Sequence, residues 1–147
     1  MKVLCITVGK KHDKLLVDAI NDYEKRLGQY CDFSWQIVPS SDKATESSTI
    51  INLVKQDDIV ILLDERGSLH TNEAIAAKLG SLQNNATKQL VIVIGGAYGV
   101  DQAVFDRSKH IVALSKQVFP HQLVRLLVAE QLYRCFNLLN GGKYHHQ

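Results

Sequence analysis

A chain of 147 residues with 46% hydrophobic and 22% charged content has the length and composition of one globular domain large enough to bury a core. That excludes a disordered polymer, and an apolar run no longer than Ile59 to Leu63 excludes a helix that spans a membrane, which takes ~20 residues. The net charge of +2 is unevenly spread: residues 1–106 sum to −3, whereas residues 107–147 carry six Lys/Arg against Glu130 alone, a pattern that suits an anionic partner such as nucleic acid or a merely solvated basic face.

Val3 to Val8 is β-branched-rich, ends at Gly9 and reads as a strand. Leu15, Leu16, Ala19, Ile20, Tyr23 and Leu27 recur at helical spacing, with Gly28 as a stop. Phe33 to Val38 is a second strand closed by Pro39, Ser40 to Ser48 has the composition of a loop, and a short helix carries Ile50, Ile51, Leu53 and Val54. The continuous run Ile59 to Leu63 reads as a strand buried on both faces, followed by a polar turn Asp64-Glu65-Arg66-Gly67. Thr71 caps a helix through Leu79, Leu90 to Ile94 forms another strand, and Asp101 is placed to cap a short helix through Phe105. Ile111 to Leu114 is the last strand and His121 to Leu139 the longest helix, stopped by Gly141-Gly142 before the tail Lys143 to Gln147. Alternating strands and helices predict a single α/β domain over residues 1–147, with a mainly parallel sheet and helices on both faces.

The opening Met1 to Gly9 is too short for the core of a secretory signal, so a cytoplasmic protein is expected. Cys5, Cys31 and Cys135 are widely spaced and odd in number, so they read as buried free thiols. His145-His146 on a flexible tail does not make a closed metal site, and no metal is expected.

In open α/β sheets, ligands bind beyond the carboxyl ends of the strands. Three such ends carry unusual sequence here: Leu63 to Gly67, Gly95-Gly96-Ala97-Tyr98-Gly99, and Leu114-Ser115-Lys116-Gln117-Val118-Phe119-Pro120. The glycine loop is not a dinucleotide fingerprint, because it follows a late strand and lacks the acidic residue about 20 positions on. It is either a tight turn or a backbone surface on which a flat ligand can lie.

From Ile92 to His145 the chain resembles the ribosomal RNA large subunit methyltransferase H family of the trefoil-knotted SPOUT superfamily. The residues concerned are Ile94 to Gly99, Leu114-Ser115, Phe119-Pro120-His121-Gln122-Leu123-Val124-Arg125, Glu130 to Arg134 and Tyr144-His145, with Val8-Gly9-Lys10 and Leu63 to Gly67 upstream. The resemblance implies a C-terminal trefoil knot, a homodimer, S-adenosylmethionine as cofactor, and methylation at N3 of a pseudouridine in helix 69 of large-subunit rRNA on the assembled ribosome. It puts the cofactor on Leu63, Gly95, Gly96 and the stretch Leu114, Ser115, Lys116, Gln117, Val118 and Phe119, and it puts Tyr144-His145 beside the target nucleotide. The family tail is often basic then acidic after Tyr-His, where this chain has His146-Gln147.

The chemistry asks for alignment of nucleophile, methyl and leaving sulfur, and for an acceptor of the N3 proton. His145 and His121 are the side-chain candidates, with water or a ribosomal group as alternatives. Arg125 and Arg134, nine residues apart on one helix, point in nearly opposite directions and serve different surfaces. After Gly141-Gly142 the tail is expected to be frayed until RNA orders it. A catalytically idle RNA-binding module and an enzyme acting on tRNA are the alternative functions.

Overall fold

The computed structural model describes residues 1–146. Its elements run β1 (Lys2–Val8), α1 (Val17–Leu27), β2 (Asp32–Val38), α2 (Lys43–Leu53), β3 (Ile59–Leu69), α3 (Asn72–Asn84), β4 (Gln89–Ile94), α4 (Gln102–Arg107), β5 (His110–Ala113) and α5 (His121–Leu139). The five strands form one sheet in the order β2-β1-β4-β3-β5, and every pairing is parallel. All strand carboxyl ends therefore open on one edge.

Alternation along the strands divides the core in two. Val3 and Cys5 of β1 join Ile92 and Ile94 of β4 under α1, α3 and α5, packing on Leu27, Leu79, Leu132 and Phe136. Ile6 and Val8 join Val91 and Val93 on the opposite face, under Ile50 of α2 and Val104 of α4. Central strands covered on both faces account for the unbroken apolar runs in β3 and β4. The cysteines are free and buried, as their spacing suggests, and burial pushes the Cys31 and Cys135 thiols up to about 11.

Three local expectations are corrected. The stretch Ser40 to Ser48 is not all loop, because Asp42 accepts the Thr45 N–H at 2.8 Å and starts α2 at Lys43. Leu15 does not join α1; it lies 90% exposed ahead of the helix. The polar turn Asp64 to Gly67 is no strand end but an interruption within β3, since Leu63 and Ser68 both pair with Val112. Glycine is needed at 67, because a Cβ there would stand 2.6 Å from the Ile111 carbonyl carbon.

Candidate functional site

The interruption in β3 and the loops after β4 and β5 meet. Leu63, Asp64 and Glu65 of β3, Gly95, Gly96, Ala97 and Gly99 after β4, and Leu114, Ser115, Gln117, Val118 and Phe119 after β5 line one cleft with His121 and Val124 of α5. At about 420 Å³ it has the size of a small-molecule site. Two wider clefts, one beside α1 and β2 and one at the amino-terminal edge of the sheet, hold none of the residues selected from the sequence.

Each wall has a local cause. The pairing of β3 with β4 ends in register at Leu63 and Ile94, so their apolar side chains arrive together. The chain then reverses through Gly99, whose N–H donates to Gly96 O at 3.0 Å and whose φ of +75° favours glycine. In the third loop Gln117 N–H donates to Ser115 Oγ at 2.9 Å. Lys116 is exposed and is not among the lining residues.

The lining suits the methyl donor that the family resemblance implies. Leu62, Leu63, Ile94, Phe119 and Val124 offer an apolar surface, and the backbones of the glycine loop and of residues 114–118 offer hydrogen-bonding groups. The glycines owe their small size to the protein side. A Cβ on Gly95 would meet Val100 Cγ1 at 3.1 Å, and one on Gly96 would meet Glu46 Oε1 at 2.8 Å. Asp64 and Glu65 are the charged groups of the lining. Burial raises the Asp64 carboxyl, but its bonds to the Arg66 backbone and guanidinium outweigh that and hold it below the usual carboxylate range.

Beside the cleft lies a buried cation. Arg125 is 0% exposed. Its Nη1 donates to Lys10 O at 2.7 Å, its Nη2 to Val8 O at 3.3 Å, and the guanidinium also meets His12 and His121. Arg125 thus ties the end of β1 and the following loop to α5. His121 Nε2 lies 3.2 Å from Thr7 Oγ1. Burial and then Arg125 hold His121 below the ordinary imidazole range, so the ring is neutral at pH 7.

The tail is elsewhere, and it is not frayed. Tyr144 N–H donates to Asn137 Oδ1 at 3.1 Å, its hydroxyl donates to Glu130 Oε1 at 3.1 Å, and its ring stands edge-on to Tyr133 at 4.9 Å. The Tyr23 hydroxyl is 3.0 Å away. Arg134 binds Glu130 through Nε at 2.9 Å and sits over the Tyr144 ring at 4.8 Å. His145 is held between Arg134 Nη1 and Glu73 Oε1, each at 3.2 Å. Arginine has only protons to give, so His145 Nδ1 accepts and the Nε2–H faces Glu73. Burial, Tyr23 and Glu130 raise the Tyr144 phenol, which keeps it a donor. Gln147 lies outside the described residues.

The structure therefore collects the nominated residues into two groups. Along α5 the cleft residue Val124 and the tail's partner Glu130 are about 9 Å apart, and His121 and Arg134 about 20 Å, so the two groups sit at different levels of the helix. Sequence reasoning missed Thr7, Tyr23, Glu73 and Glu46. Glu46 had a signal: it stands one helical turn before Ile50, on the side of α2 that faces the core, and is only 4% exposed. Among the described residues no cluster of three or more His, Cys, Asp or Glu could hold a metal, and no helix is long and apolar enough to cross a membrane.

The chain matches, over residues 1–145, the profile of the family described as "Predicted SPOUT methyltransferase". It is 38% identical to a protein of Bifidobacterium adolescentis named "Ribosomal RNA large subunit methyltransferase H", over 99% of both chains. Proteins of the same name from Parabacteroides distasonis and Flavobacterium johnsoniae are 34% and 37% identical over 100% of both chains. In fold it is similar to a probable methylase family protein from Haemophilus influenzae, with a TM-score of 0.56 at 17% identity over 99% of this chain and 70% of that one.

Proposed function

This chain belongs to the ribosomal RNA large subunit methyltransferase H family of SPOUT methyltransferases, and from that premise we propose that it methylates N3 of a pseudouridine in helix 69 of large-subunit rRNA. In this reading it acts on the assembled ribosome in the cytoplasm, as a homodimer. Membership also implies the C-terminal trefoil knot. The observation that carries the proposal is the convergence of Leu63, Gly95, Gly96 and all of the Leu114 to Phe119 stretch but Lys116 on one cleft.

When bound, S-adenosylmethionine supplies an electrophilic methyl group on a positively charged sulfur. Leu63, Phe119 and Val124 pack the adenosine and exclude water, and the backbones of the glycine and Leu114 to Val118 segments hold its polar edges. Tyr144, kept as a phenol, stacks on or donates to the target base. His145 receives the N3 proton once Arg134 no longer occupies its Nδ1, with His121 the alternative at the cleft. Arg125 is a positioning residue, because its guanidinium is spent on Val8 O and Lys10 O.

The distance between cleft and tail supports a second copy. In one chain the docked Tyr144 contacts Glu130, Asn137, Tyr133 and Tyr23 and does not line the cleft, whereas a partner can present its own. A further support is the stripe Leu123, Leu126 and Leu127 on α5, which stays partly exposed in the single chain and is more apolar surface than one core face needs. Val118 in the cleft lining and Tyr98 in the glycine loop, 81% and 79% exposed, add apolar area for a partner to cover.

The test is methyl transfer from labelled S-adenosylmethionine to intact ribosomes, to naked rRNA and to tRNA. Label confined to ribosomes and mapped to a helix 69 pseudouridine is the expected result. Label in tRNA, or none in ribosomes, overturns the proposal. Sedimentation that gives a fully active monomer at micromolar concentration overturns the dimeric part.

A further inference from the structure

Behind the glycine loop stands a carboxylate that the reading above does not use. Glu46 of α2 is 4% exposed. Its Oε2 accepts the Ser41 N–H at 2.8 Å, while Oε1 is buried without a hydrogen-bond partner. A buried acceptor left unpaired is costly, so a residue kept in that state calls for a reason. The oxygen lies against the cleft wall: a Cβ on Gly96 would be 2.8 Å from Glu46 Oε1, and Gly96 lines the cleft. Its charge also reaches His121, another lining residue, whose imidazole it pulls upward against the larger effects of burial and Arg125.

The charges around the cleft single out this one. Asp64 is neutralised locally by Arg66, with Nε at 2.9 Å. Glu65 is exposed, so water screens it. Among the described residues no Lys or Arg lines the cleft. Arg125, the other buried ion nearby, is bonded to carbonyls and histidines, and no ion pair joins it to Glu46 among the described residues. Asp101 Oδ1, at the far end of the same loop, is also buried without a partner, and Asp101 N–H donates to Ser47 Oγ at 3.0 Å. Ser47 thus ties the far end of the glycine loop to α2, and Glu46 beside it places behind the near end a negative charge that no ion pair neutralises among the described residues.

We propose that Glu46 makes the strand-end cleft select the positively charged methyl donor over its neutral demethylated product. The inference rests on the cofactor-binding reading of the cleft. The donor carries a sulfonium and the product a thioether, so the two differ by one positive charge at nearly the same shape. A carboxylate in a poorly solvated wall attracts the first and is indifferent to the second, which favours loading of donor and departure of product. At a separation of ~10 Å and an effective dielectric constant of about 20, one such charge changes the ratio of affinities on the order of tenfold.

The experiment is titration calorimetry of S-adenosylmethionine and S-adenosylhomocysteine on the wild type, on Glu46→Gln and on Glu46→Asp, with thermal unfolding of each. Glu46→Gln keeps an acceptor for Ser41 N–H and removes the charge. The expected result is a roughly tenfold loss of affinity for the donor, with product affinity held within about twofold; Glu46→Asp keeps the preference. Equal losses for both ligands, or an unchanged ratio in Glu46→Gln, overturn the proposal and leave the cofactor reading standing. A wild type that binds neither nucleoside overturns the cofactor reading and this inference with it. Sinefungin, which carries an ammonium in place of the methylated sulfur, gives a test without any variant. It should bind the wild type more tightly than the product does, and weaker or equal binding overturns the proposal.

Discussion

Replacing Arg125 by methionine is the sharpest perturbation the molecule offers, because a fully buried cation there is bonded mainly to neutral groups. Methionine follows the arginine stem as an unbranched, adaptable side chain but donates nothing to Val8 O or Lys10 O, which the guanidinium now serves at 3.3 and 2.7 Å. Lys10 is exposed, so its carbonyl regains water; Val8 is 2% exposed and its carbonyl does not. His121 also donates to the Val8 backbone, so the loss of the guanidinium there costs at most the penalty of an orphaned buried acceptor, about 1–3 kcal/mol. Relief of the buried charge and of the partnerless Arg125 Nε offsets part of any further loss. A net destabilisation of about 1–3 kcal/mol lowers the melting temperature of a chain this long by roughly 3–10 °C. The histidines supply a second readout. Burial, and after it Arg125, hold His12 and His121 below their ordinary value of 6.5. In the variant both should titrate at higher pH by NMR, because the neighbouring cation that disfavours their charged form is gone. A histidine with a depressed folded pKa contributes stability that is complete above 6.5 and lost as pH falls through the folded value. Wild-type stability should therefore drop on acidification below about pH 6.5, and the variant should show a shallower slope. An unchanged melting temperature together with unchanged His12 and His121 titrations would refute the clamp role of Arg125.

Three further outcomes are expected. Deleting residues 143–147 removes the Tyr144 bonds to Asn137 and Glu130, so the melting temperature should fall by a few degrees, about 1 kcal/mol. Ribosome methylation should cease and donor affinity by calorimetry should hardly change; a truncated protein that methylates at the wild-type rate removes the tail from the chemistry. Gly96→Val places its Cβ on Glu46 Oε1 and close to Val8 Cγ1, 3.2 Å away, so loss of donor binding should be accompanied by destabilisation of about 1–3 kcal/mol rather than occur in an intact fold. Clean loss of binding with an unaltered melting curve shows that the side chain projects into the cleft instead. With Cys31 and Cys135 pushed up to about 11 by burial and Cys5 raised further, the native protein should react with a thiol reagent at pH 8 no faster than it unfolds, and rapid reaction of one thiol contradicts the packing described.

The order of strands and helices was legible in the chain because its signals are local. Continuous apolar runs marked β3 and β4, Thr71 caps α3 by accepting the Ala74 N–H at 3.1 Å, and His121 to Leu139 is a helix over the whole expected span. The strand-end loops after β4 and β5 were also legible, since an all-parallel sheet puts every carboxyl end on one edge and their composition is unusual. Asp42 was a missed local signal, masked by the polar residues around it. What local signals could not supply is which distant groups share a space. That Leu63 and Ser68 both pair with Val112, making an expected turn an excursion inside one strand, is a matter of register between β3 and β5. The burial of Arg125 depends on where β1 ends relative to α5, and the tail is docked because Tyr144 finds Glu130, Asn137, Tyr133 and Tyr23 on two helices at once. Glu46 read as one more polar residue in a loop until α2 placed its unpartnered oxygen behind Gly96. Propensity and periodicity act over a few residues and specify elements. Burial, pairing of charges and the distance from cleft to tail arise between elements, so only the packed structure decides them.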